Sequence, residues 1–324
     1  MMKLTSLLSV AFACVMSCQL VSAEASAYFL PVENSEGRSL RYWADHPLDQ
    51  IDTKSEHAVI IVHGVNGGMK DGAATIRKML ASHRDISKVF FTAPNIVVPE
   101  LHDPIDKTKL VVSMTEEEKA KIIYWNRNTW QAGGDSPVAP GFSSYDALDR
   151  IFAKLNDKAL FPTLKTVLIC GYSAGGQVVS RYVAFTPIRP HEGLLLNFAA
   201  GAPSSWLYYF NKDAKWHYGL AERNRYAAKA TEADIMDNLA SRYCLCFCGT
   251  EDKQRKWLDE RPEAMAQGPN RYERFLKFRD YIATFPRLKG HFRFFPVDGT
   301  GKERPHGGIY YENEAFIKLV FGER

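Results

Sequence analysis

The sequence lacks a strong excess of either charge, and it lacks a long apolar run. Its 324 residues include 41 lysines and arginines against 37 aspartates and glutamates, which gives a formal net charge of +4. So mild a balance does not favour binding to nucleic acid or to an anionic membrane surface. The apolar stretch at residues 7–16 is too short to span a bilayer. We therefore expect no nucleic-acid partner and no stable membrane insertion.

That short apolar stretch fits a targeting signal instead. Lys3 precedes it, and the small-residue segment Val21-Ser22-Ala23 follows it. A positive start, a short apolar core and a small-residue cleavage site are typical of a signal peptide. We interpret residues 1–23 as such a leader and expect a secreted or periplasmic protein. A less favoured alternative is a lipoprotein anchored through Cys18, because Met16 fits the lipidation pattern poorly.

Cysteine is scarce in the rest of the chain. Four cysteines follow the leader, Cys170, Cys244, Cys246 and Cys248. The last three alternate with other residues, so a strand would place them on one face. They could form a thiolate metal site or serve as small buried apolar side chains. The second interpretation is favoured because the region offers no nearby histidine and no turn with zinc-site spacing, and we expect no metal.

Internal repeats and low-complexity tracts are also absent, and the chain alternates between two patterns. Apolar runs typical of buried strands are separated by stretches with helical spacing. This alternation predicts βα units, a mostly parallel sheet and an α/β fold. We expect one domain over residues 24–324, with a cap-like insertion at about 201–242 and a long loop near the functional site at 97–142. The strand-like runs are 58–62, 89–94, 167–170, 193–198, 243–248 and 292–297.

One of these runs ends in a motif with a chemical meaning. Residues 167–170 lead into Gly171-Tyr172-Ser173-Ala174-Gly175, and a helical pattern follows. A strand that turns into a helix through Gly-x-Ser-x-Gly is the nucleophile elbow, which leaves the serine hydroxyl exposed at the tip of a tight turn. The motif therefore predicts Ser173 as a nucleophile.

A serine hydroxyl needs a histidine base, and the histidine needs an acid that fixes its tautomer. Asp252 follows the cysteine-rich strand, and His306 follows the last predicted strand. Both positions come at the carboxyl ends of strands, where open α/β sheets gather their ligands. Glu251 and His291 are the nearest rivals, but Glu251 should point elsewhere and His291 precedes its strand. The order Ser173, Asp252, His306 predicts a catalytic triad.

Acyl transfer also needs hydrogen-bond donors that stabilise the negative charge developing on the reacting oxygen. The backbone N–H of Ala174 directly follows the nucleophile. The turn after the run at 58–62, His63-Gly64-Val65, can supply the backbone N–H of Val65. We predict an oxyanion hole formed by the Val65 and Ala174 amides.

Together these motifs resemble the α/β-hydrolase superfamily, and in particular secreted bacterial serine esterase- and lipase-like hydrolases. The resemblance rests on the elbow, the glycine-rich turn at 63–68, the acid at Asp252 and the late His306. It implies an α/β-hydrolase fold, with a mostly parallel central sheet flanked by helices. It also implies a serine hydrolase that cleaves small-molecule or polymer-derived carboxylic esters through an acyl-enzyme, without a cofactor. Further similar stretches are 202–208, 218–220 and 266–271.

Three further expectations depend on this resemblance. The same machinery could cleave amide or peptide bonds, and a non-catalytic binding protein on the same fold is a third, less favoured hypothesis. Trp206, Tyr208 and Tyr209 in the predicted cap could line an aromatic substrate pocket or merely pack the cap. The implied strand order places another strand between Cys170 and the other cysteines. Two strand spacings, about 9.6 Å, exceed the reach of a disulfide, so we expect free buried thiols.

Overall fold

The computed structural model describes residues 26–65, 69–300, 306–307 and 309–324. The predicted signal peptide, including Cys18, lies outside these ranges. Within them, no helix combines the length and the apolar character that crossing a bilayer requires.

An eight-stranded sheet forms the centre of the molecule. Its strand order is β1-β2-β4-β3-β9-β10-β11-β12, with β1, β2 and β4 paired antiparallel and all later pairs parallel. The strands of the described residues are β1 (Ser26–Pro31), β2 (Ser39–Ala44), β3 (His57–Val62), β4 (Val89–Pro94), β5 (Glu100–His102), β6 (Leu110–Ser113), β7 (Asp135–Ser136), β8 (Ala139–Ser143), β9 (Thr166–Tyr172), β10 (Leu195–Gly201), β11 (Tyr243–Gly249) and β12 (Phe292–Val297).

Helices cover this sheet and connect its parallel strands. Helix α1 packs against β3 and β4, α4 against β9 and β10, α7 against β11, and α8 against β3 and β9. The predicted mostly parallel α/β architecture is confirmed. The helices of the described residues are α1 (Met69–Ala81), α2 (Glu116–Lys121), α3 (Ser144–Leu155), α4 (Ala174–Phe185), α5 (Glu232–Ser241), α6 (Pro262–Ala266), α7 (Arg271–Ala283) and α8 (Glu314–Val320).

Local sequence explains why these elements form where they do. In β3, Val59 and Ile60 have no solvent exposure, as expected for a central strand covered on both faces. Helix α3 begins at a capping box. The Ser143 hydroxyl accepts a hydrogen bond from the Asp146 backbone N–H, and the Asp146 carboxylate accepts one from the Ser143 N–H. Asn270 caps α7 through its side chain.

The four cysteines lie in the sheet as free, buried thiols. Strand β10 runs between β9 and β11, pairing Ala199 with Cys170 and Ala200 with Cys246. The strand order that the resemblance implies is therefore confirmed. Burial raises the pKa of the Cys170, Cys246 and Cys248 thiols, which favours their neutral form.

The predicted cap segment at 201–242 divides into three parts. Gly201 ends β10, and α5 packs against α4 as the crossover helix that leads into β11. These two parts belong to the central layers of the fold. Only the irregular stretch between them, residues 202–231, resembles an insertion, and it packs mainly through its aromatic side chains. The boundaries differ because helical spacing in the sequence does not reveal which layer a helix covers.

Candidate active site

Ser173 lies at the turn between β9 and α4, where the predicted elbow forms. Its φ of 57° places a non-glycine residue in a conformation that is costly for L-amino acids. The backbone N–H of Ser173 donates to the Gly201 carbonyl at 2.8 Å, which ties the turn to β10. The hydroxyl therefore has a position fixed by two neighbouring strands.

Three glycines make this turn possible by permitting close backbone approach. A Cβ on Gly171 would lie 2.5 Å from the Gly175 carbonyl oxygen. A Cβ on Gly175 would lie 2.1 Å from the Val62 carbonyl oxygen, and one on Gly176 would lie 2.3 Å from that of Gly201. All three contacts are with backbone atoms, which cannot move aside. The glycines therefore hold the elbow against β3 and β10.

Asp252 and His306 meet Ser173 in the order that the sequence predicts. The His306 Nε2 atom lies 3.0 Å from the Ser173 Oγ atom. The other ring nitrogen, Nδ1, lies 2.6 Å from the Asp252 Oδ2 atom. The three side chains are separated by 54 and 133 residues along the chain. They form one continuous hydrogen-bonded chain because each follows the end of a strand in the same sheet.

The surroundings of His306 favour its neutral form. Burial lowers the pKa of His306, the hydrogen bond to Asp252 opposes this, and the nearby Arg271 charge lowers the pKa further. The net direction is downward, so the ring can accept a proton at neutral pH. The Tyr172 ring lies beside the imidazole, with ring centroids 4.7 Å apart, and restricts its position.

Arg271 lies behind the triad and faces the second oxygen of Asp252. Both side chains are fully buried, and Arg271 Nη1 is 3.6 Å from Asp252 Oδ1. The guanidinium also donates to the carbonyl oxygens of Gln254 and Lys256 at 3.1 and 3.0 Å. One buried side chain therefore compensates the triad carboxylate and also anchors the loop that follows β11.

A cavity of about 660 Å³ opens at Ser173. Val65 and Ala174, the predicted oxyanion donors, line it together with Ser173. A space of this size accommodates a small ligand. The other lining residues come from four connecting segments and helix α4, and they are Pro104, Ile105, Lys107, Arg127, Asn128, Gln131, Gln177, Ser204, His217, Arg255, Lys256, Trp257, Leu258, Asp259, Glu260 and Arg261.

The aromatic residues predicted for the substrate pocket do not line this cavity. Trp206 and Tyr209 have no solvent exposure. Trp206 stacks on Phe278 of α7, with centroids 4.3 Å apart, and Tyr208 packs on Tyr281. The prediction of an aromatic pocket is wrong, and cap packing is correct. These large aromatic side chains pack in the core because they bury the most surface there.

Sequence reasoning missed the polar wall of the cavity, which the loop at 253–261 provides. Asp259 is central there, since its carboxylate accepts hydrogen bonds from Tyr218 and Arg261 at 2.7 Å each. Burial opposes ionisation of Asp259, but these hydrogen bonds outweigh it and lower its pKa. Burial and the neighbouring Arg181 and Arg261 lower the pKa of His217 to about 2, so His217 is neutral. One feature of the sequence could have revealed this wall, because the charged loop directly follows the end of a predicted strand.

Arg181 lies behind this wall and is also fully buried. It donates to Ser205 Oγ at 3.0 Å and to the carbonyl oxygens of Gln131 and His217 at 3.0 and 3.2 Å. These acceptors come from two separate segments, the connection that contains Gln131 and the stretch at 202–231. A buried arginine satisfied mainly by carbonyls keeps its charge and holds the segments together.

Comparison with known proteins supports the fold. No family model and no curated protein sequence matches the chain. Two solved structures are similar over most of it. A poly(3-hydroxybutyrate) depolymerase from Bordetella parapertussis has 19% identity, with a TM-score of 0.60, covering 92% of this chain and 90% of that one. A poly(aspartic acid) hydrolase-1 from Sphingomonas sp. KT-1 has 18% identity, with a TM-score of 0.56, covering 92% and 98%. With its strand order and crossovers, the chain has the α/β-hydrolase fold.

Proposed function

We propose that the protein is a serine hydrolase that cleaves carboxylic ester bonds through an acyl-enzyme intermediate. The supporting observation is the hydrogen-bonded chain from Ser173 through His306 to Asp252, with contacts of 3.0 and 2.6 Å. Nucleophile, base and orienting acid lie within the distances that such catalysis requires.

The proposed reaction begins with attack of Ser173 Oγ on the ester carbonyl, while His306 Nε2 takes the hydroxyl proton. The carbonyl oxygen becomes an oxyanion that the backbone amides of Val65 and Ala174 bind. The intermediate collapses, and the alcohol leaves with the proton from His306. Water then attacks the acyl-enzyme with His306 again as base, which releases the acid and restores Ser173.

Asp252 has a positioning role in this proposal. Its contact with His306 Nδ1 holds the tautomer that leaves Nε2 free to accept the Ser173 proton. Burial of the imidazole lowers its pKa, so the base is available at neutral pH. The same contact stabilises the imidazolium that forms during each step.

The proposed substrate is a small-molecule or polymer-derived ester. The protein is proposed to be secreted or periplasmic. The location is supported by the leader pattern at residues 1–23. Amide cleavage uses the same residues but must protonate a poorer leaving group. Hydrolysis of 4-nitrophenyl butyrate and of the matching 4-nitroanilide distinguishes the two, and we expect turnover of the ester alone.

Labelling with a fluorophosphonate probe tests the nucleophile. We expect covalent labelling of the wild type and none of Ser173→Ala. Ser82→Ala is the control, because Ser82 is exposed at the end of α1, and its hydroxyl donates to the Met79 carbonyl. Equal labelling of Ser173→Ala would remove Ser173 from the proposal. A wild type that neither labels nor hydrolyses esters would favour a binding protein.

A further inference from the structure

We infer that the preferred ester carries a negative charge, a carboxylate a few carbon atoms from the scissile bond, which the cationic rim of the cavity recognises. This inference rests on the proposed function and specifies its substrate class. The rim consists of Lys107, Arg127, Arg255, Lys256 and Arg261, all of which line the cavity that opens at Ser173. Among the residues that the structure describes, two acidic side chains, Asp259 and Glu260, line the same cavity.

Three of the five rim cations already have acidic partners. Arg255 pairs with Glu260 at 2.7 Å, and Arg261 pairs with Asp259 at the same distance. Lys256 pairs with Asp103, an acid outside the lining, at 3.1 Å. Each of these pairs has a formal net charge of zero. The uncompensated charge of the rim must therefore come from the remaining two residues.

Lys107 and Arg127 are those residues. Over the ranges that the structure describes, no carboxylate oxygen lies within 4.0 Å of either cationic group. Arg127 lies over the Trp257 ring, with its guanidinium carbon 5.6 Å from the ring centroid. This stacking restricts the guanidinium without neutralising it, and leaves its edges available for hydrogen bonds. Two free cations thus face a ligand that enters the cavity.

The buried wall adds to this positive potential. Arg181 is fully buried, and across the described part of the chain no carboxylate oxygen approaches its guanidinium within 4.0 Å. Its hydrogen bonds go to neutral groups, including Gln177, which lines the cavity beside Ser173. A charge in a poorly polarisable interior acts over a longer range than one in water. The cavity therefore favours an anion over a neutral ligand.

The rim also has an apolar section, which limits the ligand's size and character. Pro104, Ile105, Trp257 and Leu258 line the cavity beside the cations. Ile105 is 74% exposed, so its apolar side chain is accessible to a ligand in the cavity. A ligand with a short hydrocarbon segment and a terminal carboxylate matches both sections. A long neutral acyl chain would match only one.

A pair of esters that differ only in charge tests the inference. The probes are the mono-4-nitrophenyl ester of adipic acid and its methyl ester, which removes the charge at the far carboxyl group. Rates are normalised to the hydroxide-catalysed rate of each ester. We expect the wild type to favour the charged ester by about tenfold in kcat/KM at low salt, since each exposed charge contact contributes a few-fold. The preference should shrink as salt screens the rim.

Variants assign the preference to the rim. The double variant Lys107→Gln and Arg127→Gln should lower the ratio of charged to neutral kcat/KM to about 2 or less. Arg127→Lys keeps the charge and should retain most of the ratio. Lys158→Gln removes one positive charge from an exposed loop before β9, at the opposite end of this strand from Ser173, and should leave the ratio unchanged.

Three outcomes decide between the hypotheses. A wild-type ratio near 1 with Ser173-dependent hydrolysis overturns the carboxylate inference but leaves the proposed function intact. A high ratio that survives the double variant overturns the assignment to Lys107 and Arg127. Absence of Ser173-dependent hydrolysis of both esters contradicts the proposed function itself.

Discussion

The two sides of the cavity differ in burial, in charge and in the source of their geometry. On the side of the nucleophile, Ser173 is 8% exposed and Asp252 is fully buried. Backbone contacts between strands fix this side. On the opposite side, Lys107 and Arg127 are exposed, and they lie on connections between elements of the fold. The ion pairs of Arg255, Lys256 and Arg261 and the contact of Arg127 with the Trp257 ring determine the geometry of this side.

Under the proposed function, the buried side carries out the reaction and the exposed side selects the substrate. Catalytic groups must stay within a few tenths of an ångström of their working distances, so a rigid, dry surrounding suits them. Recognition of a charged ligand tolerates movement, because Coulomb attraction falls slowly with distance. We therefore expect substitutions on the buried side to abolish activity or folding. Substitutions on the exposed side should change preference among substrates.

Removal of the base should have the largest effect. We expect His306→Ala to lower kcat/KM for 4-nitrophenyl butyrate on the order of 10⁴-fold, because nothing else accepts the Ser173 proton. His291→Ala is the matched control, since His291 precedes β12 and its ring contacts the Arg242 carbonyl. Kinetics at fixed pH, with urea midpoints to verify folding, measure both. Near-normal activity of His306→Ala would assign the base to another residue.

Substitution of the elbow glycine comes next in magnitude. Gly175→Ala places a Cβ 2.1 Å from the Val62 carbonyl oxygen, so we expect a loss of about 3 kcal/mol in unfolding free energy and loss of probe labelling. Gly72→Ala is the opposite case. Gly72 lies within α1, where an added Cβ would have no atom within 4 Å, and the substitution should stabilise by about 0.5–1 kcal/mol.

Urea unfolding measures the change in unfolding free energy for Gly175→Ala and for Gly72→Ala. If Gly175→Ala were as stable as the wild type and still labelled, the elbow would not depend on close contact with β3. The difference in sign between the two variants is the expected result.

The smallest of the three effects concerns pH. Burial and Arg271 both lower the pKa of His306, so we expect the acid limb of kcat/KM to lie below the ordinary histidine range. Arg271→Met removes one cause of the lowering, so the limb should move to higher pH. Arg271→Lys keeps the charge and should move it less. Identical limbs in the two variants would show that the Arg271 charge does not act on His306.

The sequence predicted the buried side of the site well. The glycine spacing of the elbow follows from contacts within a few residues and with adjacent strands, so it leaves a clear pattern. Asp252 and His306 were predictable because parallel strands end at one edge of a sheet, and strand-like runs are visible in the sequence. The hydrogen bonds among them depend on the same regular geometry.

The polar wall was not predictable in the same way. The loop at 253–261 has no periodicity, and its position depends on Arg271 and on the pairing of Asp259 with Arg261. The environment of the aromatic residues in the 202–231 stretch was not predictable either, since aromatic side chains suit a core and a pocket equally. Only packing against α7 distinguished the two outcomes.

The sequence predicted a long loop at 97–142, where the structure has strands β5 to β8 and helix α2. Elsewhere it determined by itself the order of the main strands and helices, the elbow and the three candidate catalytic side chains. Each of these depends on short-range sterics or on hydrophobic periodicity, which a linear pattern records. Among the described residues, the tertiary structure alone decided which charges meet at the cavity and which have no acidic partner within 4.0 Å. Ion pairs join residues such as Lys256 and Asp103 that are far apart in the chain. No local pattern encodes such a pairing, because the free energy of an ion pair depends on distance and burial in the folded state.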